Sequence, residues 1–233
     1  MEWRSKMSKI KAIFFDLDDT LINSRKAEQK AAAIFKKQFR VFDNINEEEF
    51  ETLWHQIAIE QYRKYSKGEI SYKKHRINRI KAIFSEVNVE KNDEEALEVF
   101  NIYLKEYQKN WQLFEDATKI LEKIKKNYKL VLITNGDSNQ QRKKIKKMKL
   151  EKYFSEIFIS DEVGVSKPKK EIFELACSKV GEKPENCLMI GDSFKLDIEG
   201  AQKAGLNAIW VNRKNEKFKY ENQIKELKEL IIE

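Results

Sequence analysis

Cysteine is scarce: Cys177 and Cys187 are the two in 233 residues. So thin a supply excludes a disulfide-built secreted scaffold and suits a reducing compartment. Cys177 lies in a helical pattern and Cys187 heads an apolar run, so both are expected in the core with no disulfide required. No run approaches the roughly 20 apolar residues of a membrane span. The opening MEWRSKMSKI lacks the apolar stretch of a secretion signal, and Met7 is a second candidate start. Glycine numbers seven, and there is no glycine-rich linker, internal repeat or low-complexity tract. The expectation is a soluble cytoplasmic protein. Nothing in the pattern specifies an oligomeric state.

Charge of one sign is also lacking. The net charge is +7, from 46 basic and 39 acidic residues spread along the chain, which reads as a lysine-rich solvated surface compatible with an anionic small substrate. The densest basic stretch, RKKIKKMK at 142–149, carries six cations in eight positions. Ile145 and Met148 recur there at helical spacing, so the cations read as an exposed helix face. Interleaved aromatics and binding motifs are missing, and no nucleic-acid partner is expected.

What is present is a core. Hydrophobic residues make up 41% of the chain, enough for one large domain or a domain with an insert. Short apolar runs recur at 10–16, 129–136, 156–164, 186–192 and 207–212, each closed by polar residues or glycine. Their continuous rather than alternating apolar character predicts strands buried on both faces. Helical patterns at 137–149, 169–180 and 195–204 separate the later runs, which predicts an α/β fold with a doubly wound, Rossmann-like parallel sheet. Between the first two strands, residues 23–110 read as an all-helical insert of about four helices over the first strand end. Its stripes are Phe50, Leu53, Trp54, Ile57, Ala58, Tyr62 and Tyr65, then Ile77, Ile80, Phe84 and Val87, then Leu97, Phe100, Leu104 and Tyr107. Residues 1–22 and 111–233 then form the α/β core. The tail from 213 reads as ending in a surface helix with Ile224, Leu227 and Ile231 inward.

Polar residues of a particular kind close these strands. Ligands of doubly wound sheets bind beyond the carboxyl ends of the strands, and there the sequence places Asp16 and Asp18, Thr134 with Asn135 and Gly136, Lys167 in VSKPKKEIF, and Asp192 with Ser193 and Asp197 in GDSFKLDIEGA. Asp19 reads as a turn residue. A carboxylate attacks phosphorus to form an acyl phosphate, which splits hydrolysis into two easier steps. Asp16, the first polar group past its strand, is the candidate nucleophile. Asp18 is the candidate acid and base, a role that needs its pKa raised above the ordinary value of about 3.9. Crowded carboxylates facing a phosphate dianion call for cations. Mg²⁺, a hard and oxygen-seeking ion, suits Asp16 and Asp192. Lys167 supplies a second positive charge, and Thr134 with the amides of Asn135 and Gly136 is placed to hold phosphoryl oxygens.

DLDDTL, LITNG, SKP and GDSFKLD, in that order, resemble the four motifs of the haloacid dehalogenase superfamily, whose first motif is DxDxT. The insert lies where that family carries a helical cap. The resemblance covers essentially the whole chain and implies a phosphatase-type hydrolase that uses Mg²⁺, with the backbone carbonyl of Asp18 as a further metal ligand. It leaves Asp197 either on the metal, directly or through water, or orienting Lys167. ISDEVGVSKPKKEIFELA and GDSFKLDIEGAQKAGLNAIWVNR resemble the branch that includes nucleoside 5'-monophosphatases and acylneuraminate phosphatases. The expected substrate is a small phosphomonoester, with a nucleoside monophosphate first and a sugar phosphate as its rival. Trp54, Tyr62, Tyr65 and Tyr72 stand either as base-stacking rings or as packing of the cap. A 2-haloacid dehalogenase is disfavoured by Asp18, which that branch lacks. A phosphonate hydrolase would need a buried cap lysine, and no cap motif favours a phosphomutase. A non-catalytic phosphate-binding protein is opposed by the intact Asp16, Asp18, Lys167 and Asp192.

Overall fold

The structure, a computed structural model, describes residues 8–230. Met1–Met7 and Ile231 therefore lie outside the described residues. The chain divides into two compact units, one formed by Met1–Asn23 with Gln112–Glu233 and the other by Ser24–Trp111. No helix is long and apolar enough to cross a membrane among the described residues.

The first unit holds a six-stranded, all-parallel sheet. Its elements run β1 (Ala12–Phe15), α5 (Ala117–Ile124), β2 (Lys129–Thr134), α6 (Ser138–Lys147), β3 (Glu156–Ile159), the single turn α7 (Ser160–Val163), α8 (Lys170–Val180), β4 (Cys187–Gly191), a π-helical turn (Phe194–Glu199), α9 (Gly200–Lys203), β5 (Asn207–Val211) and β6 (Gln223–Ile224). The spatial order is β3-β2-β1-β4-β5-β6, so the winding reverses beside β1 and opens a crevice at the carboxyl ends of β1 and β4. Register brings Phe15 level with Leu132 on one side and Ile190 on the other, so the three strands end on one edge, β4 one residue and β2 two residues beyond β1.

Alternate residues of the strands feed two cores, as the two-residue repeat of a pleated strand requires. Ile13, Phe15, Leu132, Leu188 and Ile190 pack with Leu121 and Ile124 of α5 on one face. Ala12, Phe14, Val131, Ile133 and Met189 pack with Ile172, Phe173 and Ala176 of α8 on the other. Both faces are covered, which is why the runs carry no polar alternation. Cys177 and Cys187 are buried free thiols with sulfurs 3.6 Å apart.

Two expectations are corrected. The tail is no helix: Ile224 lies in β6, which adds to the sheet beside β5, and Leu227 begins a 3-10 turn that buries it against the first core. A β partner outweighed the helical spacing of two apolar residues. The run 156–164 is strand only to Ile159, after which Ser160–Val163 turns helical and Gly164 closes the turn at φ +71°.

The second unit contains four α-helices, α1 (Ser24–Gln38), α2 (Glu47–Ser66), α3 (Tyr72–Ser85) and α4 (Asp93–Lys109). Local chemistry starts three of them. Asn46, Ser71 and Asn92 cap α2, α3 and α4 by accepting from backbone amides, and Glu95 completes a capping box with Asn92. The core is aromatic: Trp54 is 1% exposed, with its ring 4.9 Å from Phe35 and 4.5 Å from Tyr103. Arg79 lies 4.9 Å over Trp54, and its guanidinium pairs with Glu28 at 3.5 Å. Burial alone would raise the Glu28 pKa, but His55, Arg79 and Arg25 outweigh it and hold the carboxyl below its ordinary value. Trp54→Ala removes the ring from the middle of this cluster. The expected loss is about 3–5 kcal/mol, read from urea denaturation.

Candidate active site

Asp16 is the first residue beyond β1, and its amide donates to Ile190 O at 2.9 Å, continuing the ladder to β4. Its side chain is buried and accepts from Lys167 Nζ at 2.6 Å. Lys167, 4% exposed, also donates to Asp197 Oδ1 at 2.6 Å and Ile133 O at 2.9 Å. Three donors meet three acceptors, which saturates the ammonium. Asn135 fixes the backbone beneath it: its side chain donates to Lys167 O and accepts from Lys167 N, both at 2.9 Å. The sequence reading placed the Asn135 amide toward phosphate, and the structure adds that its side chain is a clamp on Lys167.

Asp192 follows β4, and its amide donates to Thr20 Oγ1 at 3.0 Å. Ser193 caps the π-helical turn, and its amide donates to Asp197 Oδ2 at 3.0 Å. One oxygen each from Asp16, Asp192 and Asp197 lie within 4.8 Å of one another. Gly191 makes room for this. A Cβ there would stand 2.3 Å from Asp197 Oδ2. Gly191→Ala therefore displaces Asp197, and with it one of the three acceptors of Lys167. A drop in turnover of about 10²-fold is expected, with far-UV circular dichroism unchanged.

The second acid has partners of its own. Asp18 accepts from Gln141 Nε2 at 2.8 Å and from Lys144 Nζ at 2.5 Å. Gln141 Nε2 also lies 2.7 Å from Thr134 Oγ1, so one amide joins the end of β2 to the loop after β1. Gly136 stands at φ +139°, and a Cβ on it would meet the Gln141 side chain at 3.3 Å. The Gly136 amide donates to Ser160 Oγ at 3.0 Å. Asp19, at φ +60°, donates its amide to Ile22 O at 2.7 Å and shapes the turn, as its position implied.

Lys144, Gln141 and Thr20 were not among the residues singled out from sequence. The basic run at 142–149 is not one solvated face: Lys144 is 2% exposed and Gln141 1%, on the same helix stripe as Ile145. The available signal was position. Residues 141, 144, 145 and 148 share one side of a 3.6-residue helix.

Burial dominates the electrostatics. It raises the Asp16 carboxyl to about 7, against the lowering pull of Lys167 and with the help of Asp197 and Asp18. Asp192 is pushed well above the carboxylate range by burial and by Asp16, Asp197 and Asp19. Its nearest cation, Lys214, stands 3.9 Å away with a 60% exposed side chain. Burial would lower Lys167, but Asp16 and Asp197 reverse it and hold the ammonium above the ordinary lysine range. The result is an acidic triad, two of its members buried and Asp192 half-buried, with one internal lysine, a donor set suited to a hard cation.

Residues 10–205 match the haloacid dehalogenase-like hydrolase family. The chain belongs to that family. Glyceraldehyde 3-phosphate phosphatase of Methanothermobacter thermautotrophicus is 34% identical over 87% of this chain and 86% of its own. Pyrimidine 5'-nucleotidase PynA of Streptococcus pneumoniae is 30% identical over 87% of this chain and 84% of its own. Among solved structures, the putative HAD-hydrolase YfnB of Bacillus subtilis, bound to magnesium, superposes with a TM-score of 0.81 at 25% identity, covering 94% of this chain and 96% of that one. This haloacid dehalogenase-like hydrolase is a phosphatase.

Proposed function

We propose that the phosphatase works in two steps through an aspartyl-phosphate on Asp16, with Mg²⁺ as cofactor and the helical unit 24–111 as its cap. The observation that carries this is the meeting of Asp16, Asp192, Asp197 and Lys167 at the crevice between β1 and β4. Asp16 Oδ attacks phosphorus, and the ester oxygen departs as Asp18 gives it a proton. Water then attacks the same phosphorus as Asp18 takes its proton, and inorganic phosphate leaves with Asp16 restored. Lys167 offsets the charge of the phosphoryl oxygens through its own positive charge, and Thr134 and the Asn135 amide hold them.

The residues present fit a metal. Asp192 stands half-buried among acids, its ion-pair partner among the described residues being the exposed Lys214 at 3.9 Å, and all the clustered donors are hard oxygens. Asp16 and Asp192 would hold Mg²⁺, with the Asp18 carbonyl beside them and Asp197 on Lys167. When bound, the ion supplies positive charge that lets an anionic ester approach Asp16.

For substrate, the proposal is a nucleoside 5'-monophosphate. Trp54 is committed to the core of the helical unit, so it is withdrawn as a base contact. Tyr62, Tyr65 and Tyr72 remain partly exposed in one ring cluster with His75, with Tyr65 5.1 Å from Tyr72 and Tyr72 stacked 5.3 Å from His75. A sugar phosphate is the second reading, favoured by the 34% identity to a triose-phosphate phosphatase. The test is phosphate release from nucleoside monophosphates, sugar phosphates, acylneuraminate 9-phosphate and phosphoglycolate, with and without a chelator. Chelator-sensitive release led by nucleotides supports the full reading. Release confined to sugar phosphates keeps the mechanism and replaces the substrate. Release unaffected by chelation overturns the cofactor, and no release from any ester overturns the reading.

A further inference from the structure

Lys144 is an expensive residue in its place. Its stripe on α6 is otherwise filled by Ile145 and Gln141, and a leucine would occupy the position without desolvating a charge. Buried ion pairs add little net stability over an apolar replacement, so packing alone does not account for a lysine here. The Lys144 ammonium donates to one carboxylate oxygen of Asp18, 126 residues away in sequence, while Gln141 donates to the other oxygen. Both oxygens of the second aspartate are thereby held by donors three residues apart on one helix, and that helix begins just after the Thr134-Asn135-Gly136 turn.

We infer that Lys144 and Gln141 are positioning residues for Asp18, fixing the direction of its carboxylate for proton transfer to and from the reacting oxygens. The inference rests on the acid–base role proposed for Asp18. Gln141 serves a second end, because the same amide contacts Thr134 Oγ1 at 2.7 Å and so ties Asp18 to a phosphoryl-oxygen donor. The rigid helix keeps an aspartate that is 31% exposed at its side chain from sampling other rotamers.

The test is a double-mutant cycle on the full chain, with steady-state kinetics on an alkyl phosphate and on 4-nitrophenyl phosphate. The aryl ester leaves readily and needs little protonation. Lys144→Met should lower kcat on the alkyl ester about 30-fold and on the aryl ester about 3-fold, with KM nearly unchanged. Lys144→Arg should recover a large part of the loss. In an Asp18→Asn background, Lys144→Met should cost nothing further, because its effect runs through Asp18. If Lys144→Met fails to fold, Gln141→Leu carries the same cycle with the same expected pattern. Equal losses in both backgrounds, equal losses on both esters, or a rise in KM at unchanged kcat would overturn the inference, the last by showing that Lys144 touches substrate. Asp18→Asn at full activity on the alkyl ester would instead overturn the acid–base role itself, and the inference with it.

Discussion

Asp16→Asn is expected to abolish phosphate release, by about 10³-fold or more, while the protein stays folded. The amide preserves the shape of the side chain and lacks the charge and lone pairs needed to attack phosphorus. Lys167 keeps Asp197 and Ile133 O as acceptors, so the site does not collapse around the change. Stability should move the other way, with a pH dependence that follows from the Asp16 carboxyl lying at about 7 in the fold against 3.8 as its ordinary value. A raised folded pKa means that the native state holds its proton after the unfolded chain has lost it. The resulting contribution is intact below about pH 4 and is lost as pH rises through about 7. In metal-free buffer the variant should therefore match the wild type near pH 4 and exceed it at pH 8, read from urea midpoints. Phosphate release by Asp16→Asn at wild-type rate would sink the covalent mechanism.

The catalytic unit was legible because its signals are local. Strands such as Ile13–Phe15 and Leu130–Ile133 are covered on both faces, so their burial is written as unbroken apolar runs. The acids stand directly after them because a parallel sheet presents its strand ends on one edge, and register brings Phe15, Leu132 and Ile190 level there. The helical stripes of the second unit were equally readable: Phe50, Trp54, Ile77, Ile80, Phe84 and Phe100 are all buried. Illegible features depended on distant partners. A lysine in a run of six cations reads as solvated until its acceptor is known, and the acceptor of Lys144 is in the first motif. Two apolar residues in the tail fit a helix or a strand, and only the free edge of β5 decides for β6. The Gly136 amide has a partner, Ser160 Oγ, that lies 24 residues away on the neighbouring turn and that no local pattern announces.

Lys167→Met separates the stabilising and chemical roles of this lysine. Its ammonium is the shared donor to two buried carboxylates, Asp16 and Asp197, so its loss leaves both without their cation. Removing one partner of a buried ion network costs about 3–5 kcal/mol, because the remaining charges stay desolvated. That deficit is an ionised-state penalty. Without Lys167 the Asp16 carboxyl rises further, since the lysine was the influence lowering it. The deficit should therefore be full above neutral pH and shrink as acid protonates Asp16, and urea denaturation at pH 8 and pH 5 reads the difference. Turnover should fall about 10²–10³-fold for loss of the positive charge beside the reacting phosphoryl group. Adding Asp197→Asn removes one of the stranded charges, so the double variant should regain part of its stability and none of its activity. Recovery of activity together with stability would assign Lys167 a scaffold role alone, whereas their separation places its positive charge in the reaction itself.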